Sequence, residues 1–147
     1  MRLNVRDLTA QDEARWRALW ADYIEFYQAS VSADVTDATW ARLLDPQGPM
    51  FGLVAEVNGE VVSIVNCVLH ANTWTTKPVC YLEDLFTAPQ ARGQGAGRAL
   101  IEAVATRAKA ENWHRVYWRT ASDNATAQVL YDKLAKRTAW VTYEIDG

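Results

Sequence analysis

A strand that runs straight into a glycine-rich turn leaves few options for what can surround it, and this chain contains one. Val79 to Thr87 is a strand-like run ended by Pro89, and Arg92-Gly93-Gln94-Gly95-Ala96-Gly97-Arg98 follows. Beyond it, Leu100, Ile101, Val104, Ala105 and Ala108 recur at helical spacing, which predicts a helix to about Ala110. Glycines let the backbone approach a ligand closely, and the unpaired N–H groups of a helix start, aided by the helix dipole, face an anion. The unit is therefore expected to cradle phosphate, with Arg92 and Arg98 adding positive charge. Its spacing excludes two better-known phosphate loops. The dinucleotide fingerprint GxGxxG needs glycine at position 98 or 100, where Arg98 and Leu100 stand, and the P-loop pattern with its Gly-Lys-Ser/Thr ending has no match.

The other elements are predicted in one sweep. Leu3 to Leu8 reads as a strand, and Thr9 with Asp12 as the capping signal of a helix to about Gln28. Trp16, Leu19, Trp20, Tyr23, Ile24 and Tyr27 give that helix an apolar stripe. A second helix is expected from near Thr36 to before Pro46. Phe51 to Val57 and Glu60 to Leu69 flank Asn58-Gly59, the strongest short hairpin signal. Arg115 to Thr120 is the next strand, Asn124 to Ala135 the next helix, and Thr138 to Ile145 a closing strand rich in β-branched and aromatic residues. The expectation is an α/β fold with a mixed sheet.

Length and composition bound the function classes. At 147 residues, 50% apolar and 22% charged, without repeats or linkers, residues 1–147 suit one globular domain. Apolar stretches such as Val61 to Val65 fall far short of the roughly 18 residues that cross a bilayer. The start, Met1-Arg2-Leu3-Asn4-Val5-Arg6-Asp7, has no apolar signal core, so the chain is read as cytoplasmic, with no membrane partner. Cys67 and Cys80 lie in strand-like runs outside any ligand spacing, which argues against a metal and for two reduced, buried thiols. Residues 1–87 hold 6 Lys/Arg against 12 Asp/Glu, and residues 88–147 hold 9 against 6. Such an asymmetry suits an anionic cofactor beside a cationic substrate, although scatter over two solvated surfaces gives the same count. The net charge of −3 argues against nucleic acid.

Arg92-Gly93-Gln94-Gly95-Ala96-Gly97 matches the (Arg/Gln)-x-x-Gly-x-(Gly/Ala) pattern of the GNAT superfamily of acetyltransferases, and Gln90 to Gly95 satisfies it in a second register. From about Leu3 to Ile145 the predicted element order resembles a GNAT domain, a mixed and mostly antiparallel sheet flanked by helices. Tyr81-Leu82-Glu83-Asp84-Leu85-Phe86 before the loop, and Asn124 with Leu130-Tyr131-Asp132-Lys133-Leu134 after it, resemble the polyamine and the histone-and-polyamine acetyltransferases. The resemblance implies acetyl-coenzyme A as co-substrate, its pyrophosphate on the loop and its carbonyl held by a backbone N–H of the strand residues Leu85, Phe86 and Thr87.

Acetyl transfer to an amine needs a deprotonated nucleophile, a polarised thioester and a proton for the leaving thiolate. Period-2 alternation places Glu83 with Tyr81, Leu85 and Thr87, and Asp84 with Leu82 and Phe86 on the opposite face. Two adjacent acids in an interior strand need a reason, because an unpaired buried carboxylate is costly. Either one pairs with an arginine or caps a loop, or, as the resemblance implies, Glu83 is the general base, directly or through water, and Asp84 helps hold a cationic amine. Asn124 and Tyr131 are seven residues apart, which on a helix is one face. The resemblance makes Tyr131 the acid for the sulfur and Asn124 a ligand of the pantetheine arm, while a tyrosine between Leu130 and Leu134 also suits core packing. Trp74, Tyr23, Glu25 and Tyr27 are weaker candidates for a substrate mouth.

The chain departs from the family after Leu134, where Ala135-Lys136 replace Gly and an aromatic. A single closing strand then suggests a final hairpin that is shortened or completed by another subunit, hence a homodimer through Thr138 to Ile145. The acceptor is expected to be a small cationic primary amine. A non-catalytic acyl-coenzyme A sensor or interaction module and a protein or peptide acceptor stay open, with Glu83 and Tyr131 together favouring the enzyme.

Overall fold

The structure is a computed structural model, and it describes residues 2–147. The expected α/β architecture is present: one five-stranded sheet in the order β1-β2-β3-β4-β5, with four α-helices. The strands are β1 Leu3–Asp7, β2 Met50–Val57, β3 Glu60–Asn72, β4 Thr75–Thr87 and β5 Arg115–Tyr117; the helices are α1 Glu13–Phe26, α2 Ala33–Leu44, α3 Ala96–Ala110 and α4 Ala125–Leu134. Strands β1 to β4 pair antiparallel, and β5 joins β4 in parallel. Asn58 and Gly59 turn the β2–β3 hairpin with φ of 53° and 84°, the left-handed pair that such a turn requires.

The entry to α1 is built from charge. A 3₁₀ turn, Ala10–Asp12, precedes the helix. The Thr9 amide donates to Asp12 Oδ2 at 2.8 Å, and Arg6 grips the same carboxylate with Nη1 at 2.8 Å and Nη2 at 2.9 Å. Asp12 is buried, and its bonds from Arg6, then from Thr9, hold its carboxyl below the ordinary range against the opposing effect of burial. From this anchor the helix lays Trp16 and Leu19 into the core, and Trp16 stacks on Trp20 and meets Trp40 of α2. Helix α2 begins at Ala33 rather than near Thr36, because Ser32 accepts a bond from the Val35 amide and caps it three residues early.

The register assigns each strand residue a face. Ser63, Val65 and Cys67 of β3 stand opposite Thr87, Leu85 and Leu82 of β4. This face meets α3, since a Cβ on Gly97 would lie 3.7 Å from Thr87 Oγ1 and 3.9 Å from Leu85 Cδ2. Ile64 and Asn66 stand opposite Phe86 and Asp84 and face α1. Between Asn66↔Asp84 and Cys67↔Leu82 the register shifts, leaving Glu83 as an extra residue on β4. Cys67 and Cys80 are buried free thiols in hydrogen-bonding contact, consistent with the expected thiols, and that contact with burial raises the Cys67 pKa.

Two expectations fail at the C-terminal end. Strand β5 covers Arg115–Tyr117, not Arg115 to Thr120, and Thr138 to Ile145 is not a strand. Past Tyr117 the chain leaves β4, and residues 138–145 pair with no strand among the described residues. Trp140, Tyr143 and Ile145 are 90%, 92% and 99% exposed there. Strand propensity without a partner edge does not make a strand.

Replacing Asp12 with alanine leaves Arg6 and the Thr9 amide without their shared acceptor, and the expected loss is about 2–3 kcal/mol in urea unfolding. The lowered carboxyl pKa fixes the pH dependence. Its stabilisation is full above about pH 4 and disappears as the pH falls through the lowered folded-state value, so the gap between wild type and Asp12→Ala closes in acid.

Candidate active site

Strand β4 carries the site because it loses its neighbour halfway. β5 pairs only with Val79, Cys80 and Tyr81, while β4 continues to Thr87. Along Leu82 to Thr87, one edge bonds β3 and the other faces the gap left by β5. Amides on that free edge have no ladder partner and are available to a ligand carbonyl. The stretch includes Leu85, Phe86 and Thr87, the residues expected to hold the thioester.

At the end of this edge lies the glycine loop. Gly93 and Gly95 have φ of 83° and 85°, and a Cβ on either would meet nothing within 4 Å. Gly95 is the residue before the first turn of α3. Among the described residues, the amides of Gly93, Gln94, Gly95, Ala96, Gly97 and Arg98 donate to no protein acceptor. Consecutive free donors around an open concavity fit a pyrophosphate. Arg98 bonds Glu102 at 2.8 Å, which partly neutralises it. Arg92 is engaged elsewhere: its guanidinium lies 5.6 Å from the rings of both Phe26 and Phe86, and Nε donates to the Thr87 carbonyl at 3.3 Å. The cofactor loop is thereby tied to the end of α1.

The acids are not on opposite faces. The extra residue at Glu83 breaks the alternation, so Asp84 pairs with Asn66 and faces α1, while Leu82 turns with Cys67 toward α3. Glu83 follows Tyr81 by two positions and stands beside Asp84 on the α1 side; Leu85 and Thr87 face away. The expected interior burial holds for Asp84 alone, because Glu83 is exposed beside the gap. Asp84 accepts from Asn66 Nδ2 at 3.1 Å with the Tyr23 hydroxyl in its neighbourhood, and Asn66 Oδ1 accepts from Trp16 Nε1 at 3.2 Å. Burial raises the Asp84 carboxyl against these contacts. Glu83 is also raised, first by partial desolvation, then by Asp84, with Arg119 opposing.

Tyrosines surround the acids. Tyr23 packs edge-on to Phe86 and to Tyr27, and burial ahead of the Asp84 charge raises its pKa. On the β5 side Tyr81 stacks on Tyr117 at 4.9 Å, whose hydroxyl meets His70 Nε2 at 2.9 Å. Tyr131 of α4 is half-buried and packs edge-on to Trp118. Desolvation, then the neighbourhood of Tyr27, raises its pKa, which keeps the phenol protonated.

Other expected site residues stand differently. Asn124 is the N-cap of α4, outside its helical turns, so a shared helix face with Tyr131 does not apply; its Oδ1 accepts from the Ala127 amide at 3.3 Å, leaving Nδ2 free to donate. Trp74 is 93% exposed at the tip of the β3–β4 hairpin. Nine residues of strand separate it from Glu83, roughly 25–30 Å, so the chain does not bring it to the site. Glu25 is exposed and lies about 200° around α1 from Tyr23, away from the acids. Asn66, Tyr117 and Arg119 were missed. Asn66 carried a signal, a lone amide inside the apolar run Val61 to Leu69. An open groove of about 520 Å³, lined by Leu43, Phe51, Arg107 and Trp113 among others, shares no residue with this site. No helix among the described residues is long and apolar enough to cross a membrane.

Comparisons with known proteins agree with this geometry. The profile of the acetyltransferase (GNAT) family matches residues 15–135. The chain is 34% identical to the D-amino-acid N-acetyltransferase HPA3 of Saccharomyces cerevisiae, over 99% of this chain and 92% of the relative. Among solved structures, a ribosomal-protein-alanine N-acetyltransferase from Brucella melitensis superposes with a TM-score of 0.83 at 21% identity, covering 99% of this chain and 100% of its own. AAC(6')-Iy in complex with a bisubstrate analogue of coenzyme A gives 0.84 at 18% identity, covering 100% and 99%.

The loop is directly testable. A valine at Gly95 must adopt a left-handed backbone and points its side chain into the open concavity. Gly95→Val is expected to weaken coenzyme A binding at least about tenfold by calorimetry, while the melting temperature falls by only roughly 2–6 °C.

Proposed function

The chain belongs to the acetyltransferase (GNAT) family and is an acetyl-coenzyme A-dependent N-acetyltransferase; we propose that its acceptor is the primary amine of a small molecule, attacked directly in a ternary complex within one domain of residues 1–147. The observation that carries this reading is the meeting, on one half-free strand, of a donor-rich edge, an acid pair and a phosphate-binding loop. The acids suit an amine that arrives as an ammonium, and the tyrosines beside them suit its charge. The likeness of Tyr81-Leu82-Glu83-Asp84 to the polyamine branch supports a cationic acceptor. The acceptors named for the relatives differ widely, and an amino nitrogen is what they share.

Each residue then has a step. Glu83 accepts a proton from the ammonium, directly or through water, and its raised pKa narrows the gap to the amine. The freed amine attacks the thioester carbon, and an amide on the free edge of the Leu85 to Thr87 stretch holds the carbonyl oxygen as it gains charge. The carbon–sulfur bond breaks, Tyr131 gives its proton to the thiolate, the second proton of the attacking nitrogen leaves through water and restores the Tyr131 phenol, and Asn124 Nδ2 donates to the pantetheine arm. Glu83→Gln is expected to lower kcat about a hundredfold and to remove the acid limb of the pH profile, whose midpoint in wild type lies above the ordinary carboxylate range. Tyr131→Phe keeps acetyl-coenzyme A affinity and loses most turnover. Free-thiol release measured across a panel of amines checks both variants. Tight cofactor binding without thiol release for any amine would instead indicate a sensor.

The assembly proposed is a homodimer in the cytoplasm. Its support is the exposed segment Thr138 to Ile145, strand-prone and without a partner, together with two buried free thiols suited to a reducing compartment. Light scattering is expected to give twice the 16.5 kDa chain mass, and deletion of residues 138–147 to give the monomer.

A further inference from the structure

On the face that carries the acids there is also a fixed cation. Arg119 follows β5, and its Nε donates to the Tyr81 hydroxyl at 3.1 Å while the guanidinium lies 5.8 Å from the Tyr81 ring centre. Tyr81 is itself held by its stack on Tyr117. The guanidinium is therefore anchored through Nε. Nη1 reaches Glu144 Oε1 at 3.4 Å, long for a charge-assisted bond, and Nη2 has no acceptor among the described residues. Glu144 lies on the irregular, exposed C-terminal segment, so this contact is weak and easily exchanged.

A guanidinium anchored through Nε, with one terminal nitrogen unbonded and the other on an exchangeable contact, is a preorganised fork for a carboxylate. Tyr81 and Glu83 are two positions apart on one face, about 7 Å along the strand. Side chains of both signs thus converge across the width of one small zwitterion. We propose that Arg119 binds the carboxylate of an amino-acid acceptor whose amine is directed at Glu83, and that the Glu144 carboxylate holds that place in the free enzyme. The assignment rests on the reading of Glu83 as the residue that receives the amine.

The test compares phenylalanine, as both enantiomers, with phenethylamine, which keeps the amine and the ring and lacks the carboxylate. In wild type at least one enantiomer is expected to exceed phenethylamine in kcat/KM. Arg119→Ala is expected to reduce that preference at least about tenfold, and Arg119→Lys, with a charge but no fork, to reduce it less. Glu144→Gln is expected to lower KM for the preferred amino acid. Equal use of acid and amine by wild type, or an unchanged preference in Arg119→Ala, overturns the carboxylate assignment and leaves the acetyltransferase reading standing. No acetylation of any of these or of polyamines, with acetyl-coenzyme A bound, overturns both.

Discussion

The one-residue excess in β4 at Glu83 is the constraint on which the rest of the site depends. Without it, period-2 alternation would send Asp84 toward α3 and keep Leu85 and Thr87 beside Glu83. With it, both acids lie on the α1 side while Leu85 and Thr87 pack against the first turn of α3. The same strand can then serve two tasks. Its side chains on one face line the acceptor side, and its far end is pressed against the glycine loop. The departure of β5 after Tyr117 supplies the second condition, a strand edge with donors left over.

The network around Asp84 shows how such a site stays rigid. A half-buried carboxylate without a hydrogen bond would be mobile or protonated. Here Trp16, Asn66 and Asp84 form a chain of bonds from the core to the cleft, with Tyr23 beside its end. Trp16 is packed against Trp20 and Trp40, so the outermost member, Asp84, is positioned by side chains that never approach the site. The Arg6–Asp12 contact fixes where α1 begins and hence where Trp16 enters this arrangement.

Much of the fold was legible because its signals are local. Asn58-Gly59 marked the hairpin, Thr9 with Asp12 the entry to α1, and Trp16, Leu19, Trp20 and Tyr23 its buried stripe, whereas Tyr27 at the end of the expected stripe is exposed. The bulge was not legible. Nothing in Tyr81-Leu82-Glu83-Asp84 distinguishes a strict alternation from one with an extra residue, because the choice is made by pairing with Asn66 and Cys67 on another strand. Asn124 was misplaced for a related reason, since one residue decides whether an amide is on a helix or caps it. Arg119 gave no signal at all; its position follows from a stack of tyrosines contributed by β4 and β5. The segment Thr138 to Ile145 has the composition of a strand and lacks the neighbour that would make it one.

That last segment also bears on how the chain behaves in concentrated solution. Trp140-Val141-Thr142-Tyr143 joins high strand propensity to low charge, the composition that pairs with copies of itself when left open. Lys136 and Arg137 stand just before it, and Glu144 and Asp146 at its end. Charges bracketing a sticky stretch act as gatekeepers, because stacking copies in register brings like charges together. Neutralising Lys136, Arg137 or Asp146 would leave the sheet unchanged and still favour precipitation.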